Sequence, residues 1–191
     1  MIKKIESHSL EDYLLNEKNL QNENGIIIID AVREIIQEVK DSGNEALLKF
    51  INKHERKKLK SIDEVLFNQD FLEDKFNSLS DKDRNMLIYM ADRIEKFHNN
   101  DIRLSEELED DAVEKYGYFL RPIDKVGLYA PGGKAQYPSS VLMTGVLAKL
   151  AGVNEITVMF PGKIDDLNLM FAASHLIGAK SVINSGGAHT L

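Results

Sequence analysis

Few side chains in this sequence could do chemistry, and the first of them is Tyr129. It closes the apolar run Val126-Gly127-Leu128-Tyr129 and precedes Ala130-Pro131-Gly132-Gly133. The run has the character of a buried strand, and the proline and the glycines break it. After Tyr137-Pro138 come Ser139-Ser140 and then Val141, Leu142, Gly145, Leu147, Ala148 and Leu150 at helical spacing. Strand, glycine turn and helix in that order set free N–H groups and the positive end of a helix dipole beside a strand end, where a pyrophosphate could sit. The glycines are adjacent and the turn is long, so the pattern is not GxGxxG and equally suits a plain structural turn. Tyr129 suits a ligand contact at a strand's carboxyl end or a core aromatic with its hydroxyl tied to backbone. Ser139 and Ser140 have no paired histidine and no GxSxG elbow, so the expected role for them is capping the helix.

The other candidates are weaker. His8, His54, His98 and His175 stand at no metal-ligand spacing with another histidine or carboxylate. There is no cysteine, which excludes disulfides, thiol catalysis and thiolate zinc sites and fits a reducing cytoplasm. The acidic run Glu106 to Asp111 and the cations Arg56, Lys57, Lys58 and Lys60 have the character of solvated segments. With 24 Lys and Arg against 31 Asp and Glu, the net charge is −7, which argues against nucleic acid as a partner. Met1-Ile2-Lys3-Lys4-Ile5-Glu6 lacks the apolar core of a signal peptide, and the longest aliphatic run, Ile26 to Ile29, is far too short to span a bilayer.

Two kinds of element must position these groups. The first part of the chain is helical. A short helix is expected around Leu10 to Leu15. A longer one runs from Asn24 to about Lys40 with Ile28, Ile29, Val32, Ile35, Ile36 and Val39 as a core stripe. Asp41-Ser42-Gly43-Asn44 ends it, with Gly43 as the C′ residue and Asn44 capping a further helix that carries Leu47, Leu48, Phe50 and Ile51; the two pack as an antiparallel pair. Residues 62 to 79 predict one or two short helical turns. Ser80 and Asp83 form a capping box for a helix to His98 or Asn99, with Leu87, Ile88, Met90, Ala91, Ile94 and Phe97 on its buried face. From Val113 the character changes. Val113, Tyr116, Tyr118, Phe119 and Leu120 fit a strand that turns at Pro122-Ile123-Asp124. Beyond it strands at 126–129, 155–160 and 181–184 alternate with helices from Ser139 and over about 164–177. That alternation implies right-handed βαβ crossovers and a parallel sheet. The fold expected is therefore α/β: an N-terminal helical region with a terminal strand over 1–121, then an incomplete Rossmann-like βαβαβ unit over 122–191. The sheet edge after Val182 is expected to be uncovered, and the sequence has the look of one cut short.

The stretch VGLYAPGGKAQYPSSVLM followed by AKLAGV resembles the signature of histidinol dehydrogenases. The resemblance extends upstream to Arg121-Pro122 and downstream through Glu155-Ile156-Thr157-Val158 to Asn184-Ser185-Gly186-Gly187-Ala188. It covers nearly the whole chain but only the N-terminal part of the family's length. The resemblance implies a cytoplasmic enzyme using zinc and NAD that oxidises histidinol to histidine in two steps. It implies an intertwined homodimer with a smaller arm of N-terminal helices. Tyr129 matches a family tyrosine that contacts NAD. His189 stands where the family carries an NAD-contacting glutamine in GGAQ; a histidine can still donate a hydrogen bond but titrates near neutrality. Fraying is the plainer expectation for a residue so near the end. The family's zinc ligands and its Glu-His proton-transfer pair fall later than residue 191, so no catalytic or metal-binding residue is assigned in this chain. Two outcomes follow as expectations: the chain alone is inactive, or it is a non-catalytic module that pairs with a full-length or complementary subunit.

Overall fold

The computed structural model describes residues 28–101, 106–109, 115–132 and 135–191. The helix expected around Leu10 to Leu15 lies outside these residues. Helix α1 is described over 28–42 and is followed by α2, Asn44–His54. Gly43 sits between them at φ +54 and returns its N–H to the Val39 carbonyl, as a C′ glycine does. Asn44 does not cap: it is the first residue of α2, and no side chain caps that helix. The α1 stripe is not buried as expected: Ile28, Ile29 and Ile36 are exposed, and Val32, Ile35 and Val39 are only half-buried.

Residues 62–79 correct the sequence reading. The Ser61 side chain and Glu64 make a capping box over a short 3-10 turn, Ile62–Glu64. Strand β1, Leu66–Asn68, comes next, and the Asn68 side chain then caps α3, Gln69–Asn77. Ser80 caps α4, Asp81–His98, by accepting from the Asp83 N–H, as the spacing predicts. Leu87 is fully buried on α4, but Ile88 and Phe97 point to solvent. The described part of the acidic run is not a loop. Its Glu106–Glu109 segment is strand β2, paired antiparallel with β3, Lys115–Tyr118.

Beyond residue 122 the order is β4 (Lys125–Tyr129), α5 (Pro138–Leu150), β5 (Glu155–Met159), α6 (Asn168–Leu176) and β6 (Ser181–Ile183). Strands β4, β5 and β6 are parallel neighbours in the sheet order β1-β6-β5-β4. The β6 edge is therefore covered, contrary to the sequence expectation: β1 pairs antiparallel with it, Phe67 opposite Val182. A three-residue strand between two helix caps carries too little period-2 pattern to be seen in a sequence.

One face of the sheet carries Val126, Leu128, Ile156, Val158 and Val182 and packs on α5 and α6. Leu72 of α3 and Leu87 of α4 belong to the same core, so these N-terminal helices close over the α/β unit. The other face carries Gly127, Tyr129, Thr157, Met159, Ser181 and Ile183. At the strands' amino ends Glu155 pairs with Lys125 and Lys180. Their carboxyl ends gather on the opposite rim, with Tyr129, Pro161 and the Asn184–Gly187 turn. Among the described residues no helix is long and apolar enough to cross a membrane.

Candidate functional site

The rim is built by close backbone approach. Ala130 donates its N–H to the Met159 carbonyl and so continues β4 one residue past Tyr129. A Cβ on Gly132 would lie 2.0 Å from the Pro161 carbonyl oxygen, so only glycine lets the β4–α5 turn cross the end of β5. A Cβ on Gly186 would meet Pro161 Cδ at 2.9 Å and Tyr129 Cε2 at 3.0 Å. The Tyr129 ring thus lies against the turn that follows β6. It is 43% exposed, so it is a surface contact and not a core aromatic.

Helix α5 begins at Pro138 with Tyr137 in the N-cap position, and no side chain caps it. This corrects the role expected for Ser139 and Ser140, which lie inside the first turn. Proline suits that first position because its missing N–H would have had no helical partner. The approach to α5 is held from the side: Tyr137 donates its N–H to Met170 Sδ at 3.1 Å, and the Gln136 side chain accepts from the Leu169 N–H at 3.0 Å. The start of α5, with its dipole uncompensated, therefore stands on the rim that presents Tyr129.

His189 is not frayed. It is 5% exposed, its imidazole lying beside His54 and Phe50 of α2 at ring-centroid distances of 5.8 and 6.0 Å. Its Nε2 is 3.4 Å from Ser185 Oγ, and Thr190 Oγ1 donates to the same oxygen at 3.2 Å. Tyr129 and His189 therefore belong to one rim but to different sides of it: the tyrosine is open, and the histidine is packed behind the turn.

Sequence reasoning missed the group that ties these parts together. The Glu55 carboxylate accepts from Ser185 Oγ, and from the Gly186 N–H at 3.1 Å. Its second oxygen pairs with Lys57 Nζ at 2.9 Å, and Lys57 donates to the Asn184 carbonyl at 2.7 Å. Asn184 is itself buried and donates Nδ2 to the Phe160 carbonyl. Lys57 is thus no solvated cation, which corrects the reading of the Arg56 to Lys60 run. The segment reaches this place because Arg56 adopts φ +53, a left-handed turn that charge patterning does not reveal.

Burial lowers the His189 pKa from its ordinary 6.5, against the attraction of Glu55 and with the help of His54. The native state therefore keeps His189 neutral over a range in which the unfolded chain protonates it. Stability falls as the pH drops through 6.5 towards the depressed native value, because the unfolded state then binds the extra proton. Urea midpoints measured between pH 8 and 5 are expected to decline through that window. In His189→Gln the decline is expected to flatten, with Glu55, Lys57 and His54 left in place; an unchanged slope would assign it to another group.

The described residues contain no group of three or more His, Cys, Asp or Glu able to hold a metal ion, so they do not fit a zinc centre. Tyr129 is exposed at the carboxyl end of β4, and α5 starts without a side-chain cap.

Comparison with known proteins gives one family throughout. The family described as histidinol dehydrogenase matches residues 17–191. A histidinol dehydrogenase of Prochlorococcus marinus is 36% identical over 175 residues, covering 91% of this chain and 39% of that protein. One from Neisseria gonorrhoeae is 34% identical over 161 residues, covering 84% and 38%. The crystal structure of histidinol dehydrogenase from Elizabethkingia anophelis superposes with a TM-score of 0.73 at 26% identity, covering 100% of this chain and 39% of that one. The chain thus spans about 39% of the length of the relatives it matches.

Proposed function

Because the chain belongs to the histidinol dehydrogenase family, we propose that it supplies part of the NAD site of a cytoplasmic, NAD-dependent and zinc-dependent histidinol dehydrogenase. The observation that carries this reading is the half-exposed Tyr129 ring, held against Gly186 at the carboxyl end of β4. NAD, when bound, supplies the hydride acceptor for the two oxidation steps that turn histidinol into histidine. This chain's residues bind and orient it: Tyr129 is the open contact, and the buried His189 backs the Gly186–Gly187 turn from behind. Zinc coordination and proton transfer belong to the remaining part of the family's length, so the 191 residues alone do not turn over histidinol.

The test is calorimetric titration of the purified chain with NAD+, and then of Tyr129→Ala. Binding that Tyr129→Ala weakens about tenfold or more, the loss of one aromatic contact and its hydrogen bond, supports the site. No binding, or binding indifferent to the substitution, removes it. Histidinol-dependent NADH production by the chain alone, abolished by a chelator, would overturn the inactivity.

A second reading, an assembly module for a further subunit or a second copy, is favoured by the other end of the sheet. Among the described residues β4 is paired on one side only. Beside it Phe119 and Ile123 are exposed, and an apolar groove is lined by Val126, Leu128, Leu147 and Val153. Unpaired edges next to apolar surface favour association. Sedimentation of the chain as a monomer that ignores both a full-length homologue and the complementary part would end this reading.

A further inference from the structure

Glycine turns after parallel strands offer their N–H groups to ligand anions. In this protein the turn after β6 is already engaged. The Gly186 N–H and the Ser185 hydroxyl both go to the Glu55 carboxylate, which arrives from the end of α2, about 130 residues earlier in the sequence. Lys57 holds the other oxygen of that carboxylate and grips the backbone of Asn184 on the same turn. Glu55 and Lys57 are both largely withdrawn from solvent, with side-chain exposures of 14% and 23%. Charge-assisted hydrogen bonds of this kind are among the stronger ones available to a protein, and partial burial spares them from screening.

The turn so fixed is the surface on which Tyr129 rests. A methyl group on Gly186 would lie 3.0 Å from the Tyr129 ring and 2.9 Å from Pro161, so turn, tyrosine and proline are in contact with no space between them. A shift of the Ser185–Gly186 segment is therefore passed to the ring. We propose that Glu55 is a positioning residue for the NAD site: it holds the Ser185–Gly186 turn, and the turn sets the orientation of Tyr129. Glu55 touches no ligand in this arrangement. It also takes the Gly186 N–H, so a dinucleotide's phosphates have that donor denied to them and the start of α5 left open. The proposal rests on the reading of Tyr129 as the NAD contact.

The experiment is NMR on the 191-residue chain carrying 13C-labelled tyrosine, with the Tyr129 ring signals assigned by their loss in Tyr129→Phe. In Glu55→Ala the ring signals of Tyr129 are expected to move or broaden in the ligand-free chain, and NAD+ to bind about tenfold more weakly, the loss of one charge-assisted hydrogen bond. Glu55→Gln keeps an acceptor for Gly186 and is expected to lie nearer the wild type. Ser185→Ala removes only the hydroxyl contact and is expected to shift the same ring signals by less; it carries the test if Glu55→Ala does not fold. A folded Glu55→Ala, or in its place Ser185→Ala, in which Tyr129 is unmoved overturns the proposal. Ring signals that move in Glu55→Ala while the wild-type ring ignores NAD+ would overturn the NAD role and leave only the mechanical link from Glu55 to Tyr129.

Discussion

Phe171→Ala is expected to remove about 3–5 kcal/mol of stability, the usual cost of emptying a buried phenyl site. Phe171 has no exposed surface, and its ring stands edge-on to three others: Phe67 and Phe71 at 5.1 Å and Phe160 at 5.1 Å between centroids. Such edge contacts add to the area term, so the upper part of the range is the better expectation. For a chain of this size the midpoint of thermal unfolding should fall on the order of 10 °C. Phe97→Ala is the control, because that ring is 72% exposed; it should stay within about 0.5 kcal/mol of the wild type.

The same substitution bears on how the chain is divided. Phe67 and Phe71 belong to β1 and α3, ahead of the expected division at residue 121, while Phe160 and Phe171 lie beyond it. If the cluster welds the two regions, Phe171→Ala should lower one shared transition. Signals from α4 and from β5 should then melt together, in the mutant and in the wild type. Two separated transitions, with only the later residues destabilised, would show regions that fold independently.

Which parts of this architecture a sequence discloses follows from the period of each signal. The β4–α5–β5–α6–β6 series was legible because each strand is an apolar run bounded by glycine or proline, and each helix is long enough to show its spacing. Ser80 was legible because a cap is a local chemical fact, three residues wide. Strand β1 was not, since three residues between an N-capped turn and an N-capped helix leave no alternation to read. Strand β2 was hidden by its charges, which composition assigns to loops. Tyr129 could be singled out through the family signature, and the structure leaves it open to solvent. Glu55 and Lys57 had no signal at all. Their role comes from a contact that spans about 130 residues and a left-handed Arg56, and neither has a pattern in one sequence.

Gly132→Ala should damage the rim more than its one added methyl suggests. The new Cβ would fall 2.0 Å from the Pro161 carbonyl oxygen and 3.1 Å from its carbonyl carbon, both backbone atoms that cannot rotate away. Either the β4–α5 turn lifts or the end of β5 retreats, by roughly an ångström, and overpacking of this kind costs about 1–3 kcal/mol. Both responses reach the same place. Gly132 is three residues after Tyr129, and the Pro161 ring is part of the surface on which Gly186 and Tyr129 meet. The expected result is therefore a loss of thermal stability of several degrees together with NAD+ binding weakened by about tenfold or more, since a displacement of that size is enough to spoil an oriented contact. Gly178→Ala separates this from ordinary glycine strain. Gly178 has φ +73, and a methyl added there would meet nothing within 4 Å. Its replacement should cost about 1–2 kcal/mol in backbone conformation and leave NAD+ affinity as it was. Equal losses of binding in the two variants would mean that global destabilisation, not the crossing at Pro161, controls the site. Binding lost only in Gly132→Ala would place the crossing of the β4–α5 turn over the end of β5 at the centre of how this fold presents its tyrosine.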